Sequence, residues 1–138
     1  MAALSFPYDA RRKDGALLAS AVGAGARVFK GGLVTVASAT GLVQAGADSA
    51  GLVFVGVAYE SVDNTGGAAG AKAVRVHKNG VFTYAKAGAV QADVGKTVFL
   101  VDDATVSIAA TANSIVCGTI VGVPDGAHVQ VRIDGRVS

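Results

Sequence analysis

Chemically reactive groups are what this sequence has least of. Cys117 is the only cysteine, so the chain cannot carry an internal disulfide framework or a Cys-x-x-Cys metal knuckle. Its apolar surroundings, SIVCGTIVG, mark a buried structural thiol rather than a nucleophile. The two histidines, His77 and His128, make no recognised metal-ligand spacing with it. No Gly-x-Ser-x-Gly elbow occurs. Gly95-Lys96-Thr97 imitates the end of a phosphate-binding loop, but Val90 stands where that motif needs glycine and a strand-like run follows. Asp102-Asp103 reads as turn chemistry, since neighbours on a strand face opposite ways. Glu60 and Asp63, beside a glycine-rich loop, read the same way. No catalytic, cofactor-binding or metal-binding residue is assigned, and no enzyme activity is expected.

Charge is also scarce. Charged residues are 16% of the chain and the net charge is +2. That is too weakly basic for a groove that neutralises phosphates, so no nucleic-acid partner is expected. No apolar run approaches the roughly 20 residues of a spanning helix, so no membrane segment is expected either. Met1 to Ser5 lack the charged start of a secretory signal, and synthesis in a reducing cytosol is expected. A surface poor in charge suits extensive protein–protein contact, because interface cores are depleted in charged residues.

Valine and glycine fill the space. There are 23 valines against 11 leucines and isoleucines together, and 19 glycines. Valine suits the pleated, half-buried surface of a sheet, and glycine at this density marks frequent tight turns. The length, 138 residues, fits one domain. The pattern predicts roughly eight to ten short strands in a small barrel- or sandwich-like all-β domain over residues 21–138, preceded by an extended arm, residues 1–20.

The arm lacks strand alternation and carries Phe6, Tyr8, Arg11, Arg12 and Lys13. Aromatics gain nothing on a free tail, so these five are the candidate contacts to a neighbouring subunit or scaffold. Residues 15–21 and 90–94 are the helix or turn candidates. In the strand region, Gly31-Gly32 between ARVFK and LVTVA predicts a hairpin, as does Asn79-Gly80 between KAVRVHK and VFTY. The second hairpin would set His77 opposite Phe82 and Arg75 opposite Tyr84, a face read as packing. Residues 61–70, SVDNTGGAAG, should form an exposed, mobile loop. Val74 and Val76 face one way, and Ala73, Arg75 and His77 the other. Phe99, in TVFLV, is expected in the core. HVQVRI closes the chain with strict alternation. GLVQA at 41–45 recurs as GAVQA at 88–92, compatible with a duplicated β unit.

In order, VFKGGLVTV, FVGVAYESVDNTGGAAG, a strand leading to Gly80-Val81-Phe82, ADVGKTVFLVDDATV, GTIVG and HVQVRI resemble the capsid cement (head decoration) proteins of tailed bacteriophages. The resemblance spans residues 25–135. It implies a structural virion protein, made in the host cytoplasm, on the outside of an expanded capsid. Such proteins commonly sit as homotrimers and clamp neighbouring major capsid subunits. The alternative is a glycan- or host-surface-binding β module of a tail or adhesin, whose candidates are Tyr59, Tyr84 and residues 61–70. A small β-barrel enzyme is disfavoured by the lack of a convergent acid/base set.

Overall fold

The computed structural model describes residues 15–133, together with Ser5 and Pro7. Twelve strands follow in chain order. They are β1 (Leu17–Ala21), β2 (Arg27–Val28), β3 (Leu33–Ala37), β4 (Val43–Ala45), β5 (Leu52–Ala58) and β6 (Val62–Asp63). Then come β7 (Ala73–His77), β8 (Gly80–Ala85), β9 (Thr97–Leu100), β10 (Val106–Ser107), β11 (Val116–Asp125) and β12 (His128–Ile133). The all-β expectation holds: nine strands have three residues or more, and the only helical element among the described residues is a single 3-10 turn, Gln91–Asp93.

The strands form two five-stranded sheets, β1-β7-β5-β3-β4 and β10-β9-β11-β12-β8, plus a two-stranded ribbon, β2-β6. Both large sheets curl. A parallel bridge between Val22 and Val43 ties the edges of the first, and one between Ala85 and Thr105 ties those of the second.

The two sheets are copies of one unit. Taken in chain order within its own sheet, each runs first–fifth–fourth–second–third. The register repeats as well. Leu18 faces Val76 and Ser20 faces Val74 in the first; Phe82 faces Val131 and Tyr84 faces Val129 in the second. Gly31 N–H donates to Ala58 and Ala58 N–H to Gly32, as Gly95 donates to Ile120 and Ile120 to Lys96. A bulge follows at the same place in each, leaving Gly56 against Val34 and Gly118 against Val98. A Cβ on Gly56 would strike the His77 carbonyl and Val76, and one on Gly118 the Arg132 carbonyl and Val131, so both positions require glycine. The repeat does not run through the GLVQA echo: Val43–Ala45 is a strand, whereas the second copy holds the 3-10 turn.

Valines fill the inside of the first unit. Val22, Val34, Val43, Val74 and Val76 are buried there, with Val28 of the ribbon. The inside of the second unit holds Leu100, Ile120, Val129 and Ile133, and it closes over Leu33, Phe54 and Val57 from the outer face of the first. The alternation in β7 and β12 is as expected, with Val74, Val76, Val129, Val131 and Ile133 inside.

Four local expectations are overturned. Residues 17–21 are a strand, not a helix: five residues cannot repay helix nucleation, whereas every residue of β1 pairs with β7. Gly31-Gly32 turns the chain, with Gly32 N–H donating to the Phe29 carbonyl, but β2 pairs with β6 rather than β3. Asn79-Gly80 is the link between the two units, so β7 and β8 lie in different sheets. Phe99 is only half-buried, because Val98 and Leu100 take the inward face of β9.

Candidate functional site

The predicted contact residues Phe6, Tyr8, Arg11, Arg12 and Lys13 lie outside the described residues. The other chemistry-bearing positions are dispersed. Cys117 is buried, with its Sγ 3.7 Å from the Val98 carbonyl, and burial pushes its thiol up to about 12, away from thiolate chemistry. His77 packs edge-on to Tyr59, with ring centroids 5.2 Å apart, and lies 5.6 Å from Phe82. His128 places Nδ1 2.9 Å from Asp125. The Asp102 carboxylate accepts the Ala104 N–H, which makes it a turn residue as expected. Gly95-Lys96-Thr97 runs into β9, and Lys96 reaches Asp93 instead of a phosphate site. Among the described residues no group of three or more His, Cys, Asp or Glu could hold a metal ion, and no helix is long and apolar enough to cross a membrane.

Residues 61–70 are exposed over most of their length but firmly anchored. Asn64 is buried and donates from Nδ2 to the carbonyls of Gly23 and Ala68, and its own N–H donates to Ala26. Ser61 Oγ accepts the Lys30 N–H.

Two exposed aromatics flank the Lys30-Gly31 turn, Phe29 at 51% and Tyr59 at 39% exposure. Each sits under an arginine held by a carboxylate. Arg75 lies 4.7 Å from the Tyr59 ring centre and pairs with both oxygens of Glu60, at 3.0 and 2.9 Å. Arg27 lies 4.8 Å from the Phe29 ring centre and 3.8 Å from Asp63. The Arg75 hydrogen bonds hold the Glu60 carboxyl down to about 2. Tyr84, expected at an exposed sugar site, is instead buried, and its hydroxyl donates to the Gly31 carbonyl at 2.8 Å. The arrangement fixes two aromatic platforms in place at little further ordering cost.

No family model, curated protein or solved structure matches this chain. The repeat inside the chain supplies its own comparison. Leu33, Thr35, Phe54 and Val57, on the outer face of the first unit, are buried against the second unit. The equivalent positions in the second unit are Thr97, Phe99, Val116 and Thr119. Nothing covers that face among the described residues: Val116 is 46% exposed, and Val81 and Val121 beside it are 52% and 43% exposed. Arg132, paired with Thr119 and Val81, is the one charge in these rows. The sequence does not reveal this face, because alternation shows which residues share a side of a strand but not which side another sheet covers.

Proposed function

We propose that the chain is a structural decoration protein that binds the outside of an expanded phage capsid and holds neighbouring major capsid subunits together, as a homotrimer. The observation that carries this reading is the uncovered outer face of the second unit. The same face of the first unit is interior, so the fold already uses it for docking. In the second unit it presents Phe99, Val116 and Val121, and its carboxylate, Asp125, stands at the far end of β11 beside His128, which leaves the Val116 end with the composition of an interface core. The resemblance of residues 25–135 to the capsid cement family supplies the partner, and the dispersal of titratable groups fits a protein that works by contact. Many copies of a modest contact stabilise a shell through avidity.

Co-sedimentation with empty heads of the major capsid protein encoded nearby tests the reading, with unexpanded shells as control. Saturable binding to expanded heads, lost in Val116→Asp, is the expected outcome. Absence of binding to either shell sinks the decoration reading.

A further inference from the structure

A cleft of about 440 Å³ opens where the two units meet, within the usual size range of small-molecule sites. The Lys30-Gly31 turn of the first unit forms one wall. Thr83, Asp103 and His128 of the second unit form the other. A second cleft of about 270 Å³ continues from the same turn to Tyr59, His77 and Phe82. From these we infer a binding site for a neutral saccharide of more than one ring, laid across the Lys30-Gly31 turn between the Phe29 and Tyr59 platforms.

The frame of the groove is rigid. Leu33 N–H donates to the Asp103 carbonyl at 2.9 Å and Gly31 N–H to the Ala58 carbonyl at 2.9 Å. Tyr84 closes the floor through its bond to Gly31. The functional ends of the lining side chains are left over. The Lys30 ammonium, the Thr83 hydroxyl and the Asp103 carboxylate make no hydrogen bond or ion pair among the described residues. His128 uses Nδ1 on Asp125 and keeps Nε2.

Charge then narrows the ligand. Lys30 and Asp103 are of opposite sign, so a simple anion or cation would satisfy one and oppose the other. Adjacent sugar hydroxyls satisfy both, accepting from an ammonium and donating to a carboxylate. The C–H faces of a sugar ring suit exposed aromatic surfaces such as Phe29 and Tyr59.

The internal repeat shows that the fold does not require these groups. Where the first unit places Lys30 the second has Val94, and where the second places Thr83 and His128 the first has Ala19 and Ala73. At these three positions the shared strand register does not dictate a polar side chain. Thr83 and His128 share the outward side of β8 and β12 with Val81 and Arg132, whereas Val116 lies at the opposite end of β11 from the cleft.

The test is a two-dimensional amide NMR titration of the full chain with glucose, galactose, N-acetylglucosamine and their β-linked disaccharides. Saturable shifts confined to the lining of the two clefts, residues 29–32, 57–59, 77, 82–85, 103–104 and 128, are expected, with disaccharides tighter than their monomers. Phe29→Ala and Asp103→Asn should each weaken binding at least about tenfold, the effect of losing a platform or a charged hydrogen bond, while retaining the folded spectrum. Val116→Asp should leave sugar affinity unchanged. The inference is overturned by no saturable shift with any sugar, by shifts elsewhere, or by wild-type affinity in both cleft variants. Equal saturation by glycine would assign the cleft to a zwitterion and overturn the saccharide.

Discussion

Glu60 and Arg75 show how much one exposed pair is asked to do. Glu60 accepts the Arg75 backbone N–H at 3.0 Å as well as two guanidinium bonds, and the same guanidinium covers Tyr59. Those bonds hold the carboxyl at about 2 against an ordinary 4.5. A depressed acid stabilises the folded state above its unfolded value and loses that contribution as pH falls through the folded one. The pair therefore weakens between about 4.5 and 2, and the Tyr59 platform loosens with it. Carboxyl-detected NMR should show Glu60 titrating near the lower limit. A midpoint at the ordinary value would mean that the bidentate pair is absent in solution.

At the scale of the strand, inward and outward faces separate cleanly. In β9, Leu100 is fully buried in the shared core and Phe99 lies on the opposite, half-open face. Leu100→Ala should cost about 2–5 kcal/mol by cavity formation. Phe99→Ala should cost about 1 kcal/mol, in keeping with partial burial. Chemical denaturation distinguishes the two, and equal losses would refute the facing of β9. The bulge glycines give a second contrast. Gly118→Ala drives a Cβ into the Arg132 carbonyl, 2.7 Å from Val131 Cγ1, and should cost about 3 kcal/mol or more. Gly126, with nothing within 4 Å of its added Cβ, should accept alanine with little change in melting temperature. A tolerated Gly118→Ala would mean that β11 and β12 do not approach as closely as described.

For the molecule as a whole, duplication is the organising fact. Two copies of one curled five-stranded unit pack outer face to inner face, which buries one outer face and leaves the other uncovered among the described residues. Residues 1–14 precede β1, the edge strand of the first sheet. The strand pairs of the described core all lie within residues 17–133, so the chain without residues 1–14 should keep its melting transition while its occupancy on expanded heads falls. Unchanged occupancy would refute a role for Phe6, Tyr8, Arg11, Arg12 and Lys13 in attachment.

The predominance of strands, the facing of β7 and β12 and the burial of Cys117 were determined by the sequence itself, because they depend on period-two patterning within a few residues; the strand at Leu17–Ala21 and the outward facing of Phe99 were not. His128–Ile133 alternates in burial as its letters alternate in polarity. Pairing partners were decided only by the tertiary structure. Gly31-Gly32 and Asn79-Gly80 state that the chain can turn, but a turn does not specify which strand lies alongside next. Gly31-Gly32 instead extends the ladder to Ala58, and Asn79-Gly80 passes the chain to another sheet. The repeat was hidden for the same reason. What the two copies share is register and two bulge glycines, enforced by backbone contacts between strands distant in sequence, while their side chains have diverged wherever the surroundings differ. The cleft is a product of that divergence, assembled from Lys30, Thr83, Asp103 and His128 only when the two units meet.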